Sequence, residues 1–233
     1  MIIYSGTDEN GYLGVAPFAT EIIKWQNEDN STCELPDYPI GIYGAVPVIL
    51  EENNYACGGG FPETAQCVNL ITGKNATFNL RHKRVFASSV TTNSQTFVFG
   101  GKDNGNDLKS YEIIDTDYVQ SEGEMPFSWS SGCSTLINST TILLAGGRQN
   151  GTRWAPQRYR ETWFFNWRTE EWTQGPSMIK ERQDFGCGLI KSINSVAAFG
   201  SFDMIVSPKP GTTEIVKLPG GSFKHGIRQC LFD

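Results

Sequence analysis

The sequence predicts an all-β fold assembled from four-stranded antiparallel meanders, and three observations lead there. Glycine is abundant, 25 of 233 residues, and helix-favouring runs are scarce, which is the balance of a chain of short strands and tight turns. Strand-like apolar runs end on glycine five times, in IIYSG, YACGGG, TFVFGG, TILLAGG and SVAAFGS, with anchors at Gly6, Gly58, Gly100, Gly146 and Gly200 and spacings of 52, 42, 46 and 54. The flanks of the anchors recur too, and self-similarity at a period of roughly 50 residues marks a repeat architecture. The length suits a single domain, because all-β domains run to roughly 200 to 250 residues without splitting.

Each element of the repeat follows in order. Thirteen residues before four of the anchors stand Ala45, Ala87, Cys133 and Cys187, small residues on a first strand in YGAVPV, VFASSV, SGCSTL and FGCGLI. The glycine-ended run is the second strand. A glycine pair there lets the backbone take positive φ without a Cβ clash and lets neighbouring sheets approach closely. Third strands are TEIIKW (20–25), CVNLIT (67–72), YEIIDT (111–116), TWFFNW (162–167) and TEIVKL (213–218), three of which place Glu21, Glu112 and Glu214 before an aliphatic pair. Fourth strands follow in STCELPDYP, ATFNLR, SEGEMP and EEWTQGPSM.

On these features the chain resembles the kelch family of β-propellers, most strongly in RETWFFNWRTEEWTQGPSMIKER. That passage has the family's aromatic third strand, a turn, a tryptophan about six residues on, a Gly-Pro pair and an arginine opening the next unit. The resemblance implies one kelch-type propeller domain over 1–233, with five four-stranded blades in units of about 1–40, 41–81, 82–126, 127–179 and 180–226. The tail 227–233 reads as a closing strand that pairs with the first unit, and a fragment of a six-bladed ring is the alternative. CELPDYP followed by ACGGG and QCVNL is similar to the cysteine-containing secreted kelch proteins of invertebrate animals.

Charge and cysteines bound the function. With 19 Lys and Arg against 25 Asp and Glu the formal net charge is −6, which argues against a nucleic-acid partner, since counterion release needs a basic face. No run approaches the roughly 18 apolar residues of a membrane span. MIIYSGTDENG reads as a strand rather than a secretory leader. Four sequons nevertheless stand at Asn30, Asn75, Asn138 and Asn150, candidate glycosylation sites in an extracellular chain. Of six cysteines, Cys57 and Cys67 lie on second and third strands of one unit and are a disulfide candidate. Cys133 and Cys187 occupy equivalent positions in adjacent units, where sheets stack roughly 10 Å apart, so they are not expected to bond to each other. The pairing of Cys33 and Cys230 stays open, as does a cytoplasmic chain with all six reduced.

Little in the sequence supports catalysis, and no cofactor or metal is expected. CGGGF lacks the helix and lysine of a phosphate loop. The runs GTDENG and DNGND are explained by turn-forming Asx and Gly rather than by calcium. His82 and His225 meet the histidine count of a copper-oxidase-like propeller enzyme, yet His82, in LRHKR, reads as exposed. In a meander the turns after strands one and three leave at one end and those after two and four at the other. Asn30, Asn75 and Asn138 fall at the first end. The second carries GTDENGYLGVAPFA, KDNGNDLK and RQNGTRWAPQRYRE, the last gathering Arg148, Arg153, Trp154, Arg158, Tyr159 and Arg160 in a composition suited to binding. Arg84 and Arg182, each opening a unit, are read as framework residues that satisfy loop carbonyls. The expectation is a non-catalytic extracellular scaffold for a protein or glycan; a cytosolic kelch adaptor holding a partner peptide is the alternative.

Overall fold

The computed structural model describes residues 2–4, 20–22, 43–60, 62–116, 118, 120–152, 155–200 and 213–218. Its chain divides into two compact units at Gly123/Glu124. Strands dominate, and no α-helix occurs among the described residues. Nor is any described helix long and apolar enough to cross a membrane.

In the first unit, β1 (Ile2–Tyr4) pairs antiparallel with β2 (Thr20–Ile22), the expected second and third strands of the first repeat. A four-stranded sheet follows in the order β3 (Val46–Leu50), β4 (Asn53–Cys57), β5 (Gln66–Asn69), β6 (Asn75–Asn79). The next repeat forms a second such sheet from β7 (Ser88–Thr91), β8 (Gln95–Phe99), β11 (Ser110–Asp115) and β12 (Gln120–Glu124). Between its second and third strands, β9 (Lys102–Asp103) and β10 (Asn106–Asp107) make a hairpin. The DNGND run is thus a two-residue turn. Asn104 and Gly105 both take positive φ, 48° and 78°, as Asn-Gly does in a hairpin turn.

The second unit repeats the plan. β13 (Cys133–Leu136), β14 (Thr141–Ala145), β17 (Thr162–Asn166) and β18 (Glu171–Gln174) form one sheet, and β19 (Gly186–Ile190), β20 (Ser195–Phe199) and β21 (Thr213–Lys217) form a three-stranded one. Burial is graded across each sheet. The second strands β8 and β14 are covered on both faces, which is why Phe97, Val98 and Phe99, and Ile142, Leu143 and Leu144, read as unbroken apolar runs. Fourth strands are edges: β18 leaves three of four residues exposed. Cores lie between sheets. Val46, Val48 and Leu50 of β3 pack with Val98 and Ile114 in the first unit, and Leu143, Ala145, Val196 and Val216 pack together in the second.

The second strands β4 and β14 end on glycine because of what meets them. Gly59 N donates to Arg84 O at 2.6 Å and Gly147 N donates to Arg182 O at 2.7 Å, so each pair is bonded to the segment that opens the following repeat. A Cβ on Gly58 would lie 2.5 Å from Arg84 O, and one on Gly146 2.7 Å from Arg182 O. The opening residue also reaches forward into its own repeat. Arg84 Nη1 donates to Gly100 O (2.6 Å), Trp129 Nε1 to Gly146 O (2.7 Å) and Arg182 Nη1 to Gly200 O (2.6 Å). All three side chains are buried. Arg84 is further held by Glu112, whose Oε1 accepts from Nε and Nη2 at 2.8 and 2.7 Å, while Glu112 also receives the backbone N–H groups of Arg81 and His82.

Two disulfides are present among the described residues. Cys57–Cys67 joins cross-strand partners of β4 and β5 as the sequence suggested. Cys133–Cys187 corrects the expectation that these two would not bond: their Cα atoms are 5.9 Å apart. The spacing of stacked sheets holds where full-sized side chains separate them. Here β13 and β19 are the edge strands at which two sheets converge, and the residues flanking the contact, Ser134, Gly186 and Gly188, are small. Cys33 and Cys230, Asn30, the anchor Gly6, His225 and the closing strand 227–233 lie outside the described residues.

Replacing Arg84 by Ala strands the buried Glu112 carboxylate and is expected to cost about 3 to 5 kcal/mol in chemical denaturation of the full chain; a loss below about 1 kcal/mol would contradict that role. Loop length separates the disulfides. Chain entropy predicts a loss of about 4 kcal/mol for the Cys133→Ala/Cys187→Ala pair, which closes 54 residues, against about 3 kcal/mol for Cys57→Ala/Cys67→Ala, which closes 10. Equal losses in non-reducing denaturation would show that loop closure does not set the ranking.

Candidate functional site

The segment RQNGTRWAPQRYRE, read as a loop, contains an ordered hairpin of β15 (Arg148–Thr152) and β16 (Ala155–Arg158). It corresponds to the β9–β10 hairpin, and both are tied to the start of their own repeat: Lys102 bridges to Val85 and Arg148 to Ser130. Arg148 and Arg158 are direct cross-strand partners. Their charges converge on Asp184, whose backbone N–H donates to Ser131 O at 2.7 Å. Asp184 is exposed as a residue, but protein packed about its carboxyl group raises its pKa, against opposing pulls from Ser131, Arg148, Gln183 and Arg158. Arg148 Nε also donates to Ser130 Oγ at 3.4 Å.

Arg160 is exposed. Its N–H donates to the Glu161 carboxylate and its carbonyl accepts from Met178 N. Arg153 and Trp154 lie outside the described residues, and so does the side chain of Asn150, whose backbone belongs to β15. Asn75 begins β6, Asn138 sits in the β13–β14 turn, and both are exposed. Each stands at the end of its own sheet where first-to-second and third-to-fourth connections emerge. His82 is exposed, with Nε2 3.1 Å from Glu122 Oε2.

Tyr159 belongs to a different feature. Its N–H donates to Gly147 O and its carbonyl accepts from Arg182 N, so the glycine exit of β14 fixes its place. There it lines a pocket of about 180 Å³ with Phe127, Trp129, Leu144, Glu161 and Trp163. The walls are almost wholly apolar. Phe127 packs on Trp163 at 5.0 Å between ring centroids and edge-on to Trp172 at 6.0 Å, while Trp172 stacks on Phe165 at 4.4 Å. The pocket opens where the second strand leaves the sheet and the third enters, the end opposite Asn138.

The register explains why a pocket forms in this repeat. Glu112 pairs with Val98 one residue inside the end of β8, and Trp163 pairs with Leu144 one residue inside the end of β14. Trp163 thus takes the place of Glu112, as Trp129 takes the place of Arg84 in donating to the exit glycine. A buried ion pair in one repeat is an indole pair in the other. Sequence reading missed Phe127, Trp129, Leu144 and Trp163 as site residues. Their signal was present in MPFSW and TWFFNW, where tryptophan stands at the positions of the framework arginine and glutamate.

The fold and site define an all-β protein of blade-like antiparallel sheets with an aromatic pocket at one sheet end. No protein-family model matches the chain, and no curated protein does. A solved structure titled "Structure of YjhT" is similar, with a TM-score of 0.64 and 15% identity over 85% of this chain and 71% of that one. At that identity the likeness concerns the fold alone.

A raised aspartate pKa stabilises the fold fully below its unfolded value, and that stability is lost as pH rises through the folded value. Relative to Asp184→Asn, the unsubstituted protein should therefore lose stability as pH climbs upward from the ordinary aspartate range. Parallel stability profiles of the two proteins between about pH 3 and 6 would contradict this.

Proposed function

We propose that the chain is a kelch-type β-propeller acting as a non-catalytic binding scaffold of an extracellular glycoprotein, with the aromatic pocket taking an apolar group of its protein or glycan partner. The observation that carries this reading is the exchange of the Arg84–Glu112 framework pair for Trp129 and Trp163. Nothing in the framework role requires the second tryptophan, because Trp129 Nε1 alone satisfies the Gly146 carbonyl. What the exchange adds is apolar, aromatic surface facing a cavity, and aromatic anchors beside arginine dominate binding hot spots. Tyr159 lies in the same wall, flanked in sequence by Arg158 and Arg160.

Three features support the remainder of the reading. Repeated meanders with glycine exits, and sheets that converge at their first strands, suit a propeller. Disulfides suit an oxidising compartment. Asn75 and Asn138 are exposed sequons, each at the end of its own sheet where first-to-second and third-to-fourth connections emerge.

Protein secreted from animal cells is the material for the test. Arg153→Glu/Arg158→Glu and Tyr159→Ala should each weaken binding on arrays of glycans and of extracellular protein domains by about tenfold or more. Unchanged binding by all variants would remove the site. An absent mobility shift after N-glycosidase treatment, together with six titratable thiols, would move the protein to the cytoplasm.

A further inference from the structure

The two sheets of the second unit leave a groove of about 430 Å³ at the end opposite the aromatic pocket. Its walls mix chemistries. Ile137, Phe164 and Leu218 are the apolar lining residues, and Asn166, Thr173, Asn194 and Glu171 are polar or charged ones. Asn194 and Leu218 belong to the β19–β21 sheet, where Leu218 N donates to Asn194 O, so the groove has one wall on each sheet. Asn138 lines it as well. That asparagine is held in a fixed pose: its Oδ1 accepts from Thr140 N (2.9 Å), Thr140 Oγ1 (3.2 Å) and Thr141 N (2.9 Å). With Oδ1 turned into the backbone, the amide nitrogen on the other side of Cγ is the atom left facing outward.

We propose that this groove is the seat of an N-linked glycan carried by Asn138 itself, whose first sugars lie between the two sheets and hold them together. This rests on the glycoprotein reading above. Attachment forms the Nδ2–C1 bond and breaks the C1–O bond of a lipid pyrophosphate oligosaccharide donor. The pyrophosphate leaves with the bonding pair, and the amide proton passes to the transferase base. The lining fits the two characters of an acetylated hexosamine. Its ring C–H face and acetyl methyl match Phe164 and Leu218, and its hydroxyl and amide groups match Asn166, Thr173 and Asn194. The volume lies within the range of ligand-sized clefts, roughly 300 to 1,000 Å³. A sugar tethered at the groove's own wall docks intramolecularly and loses less freedom than one arriving from solution.

The experiment compares protein secreted from animal cells with the same protein after enzymatic removal of N-glycans. Removal leaves aspartate at position 138, whose carboxylate oxygen keeps the turn. Peptide mass spectrometry reads occupancy, and hydrogen exchange reads protection. The expected result is glycan on Asn138 and exchange about tenfold slower across residues 192–196, on the sheet that does not bear the glycan, than after removal. Thr140→Ala, which abolishes the acceptor, should match the deglycosylated protein; Asn75→Gln should leave this protection unchanged. Occupied Asn138 with identical exchange overturns the docking proposal. Glycan on Asn75 but none on Asn138 overturns it too, and leaves the glycoprotein reading standing. No glycan on any sequon overturns both.

Discussion

The structure depends on a hydrogen bond made three times among the described residues, from a buried donor at the opening of a repeat to the carbonyl of the glycine that ends its second strand. Arg84, Trp129 and Arg182 each make it at 2.6 to 2.7 Å. The backbone of the same segment turns back to accept the N–H of the preceding repeat's glycine pair, from Gly59 to Arg84 and from Gly147 to Arg182. One short segment thus closes its own sheet and is clasped by the one before. Each bond by itself contributes about 1 kcal/mol net, but a buried carbonyl left without its donor costs more. Approach this close leaves no room for a Cβ, so the glycine pair is dictated by the neighbour's backbone rather than by the turn alone.

The donor's identity sets what else the repeat must contain. A buried guanidinium brings five N–H groups and a charge, and the Arg84 repeat answers with Glu112, Gly100 O and two oxygens of Ser110. Burial lowers the Arg84 pKa, and the Glu112 charge works against that shift. An indole brings one N–H and no charge. Once Trp129 takes the position, the acid has no work there, and Trp163 occupies its place. Framework and pocket are therefore two outcomes of one pair of positions: ionic where the space must be filled and neutralised, aromatic where it is left open.

Much of this architecture was legible in the chain because its rules are local. Apolar runs ending on glycine became β4, β8, β14 and β20, since a strand buried on both faces needs no alternation and its exit needs positive φ. Asn104-Gly105 announced its own turn. What stayed hidden depends on distances between sheets. Cys133 and Cys187 meet because two edge strands converge, and no spacing along the chain encodes that. The β15–β16 hairpin is built from Gln, Asn and Arg, residues with little strand preference, and is held by its bridge to Ser130. The pocket joins residues from 127 to 163, which stand in separate segments of the chain. Only the register that aligns Trp163 with Glu112 exposes the substitution.

The Cys133–Cys187 bridge has a consequence for how the protein fares among proteases. Cys133 and Cys187 flank the β15–β16 hairpin in sequence, and connections between strands are where proteases nick a folded chain first. A cut there, or anywhere between the two cysteines, leaves the pieces covalently joined. β14 and β17 stay paired along five residue pairs with no peptide continuity between them. The nicked protein would keep its sheets and separate into fragments only under reducing conditions, so its working lifetime need not end with its first cleavage.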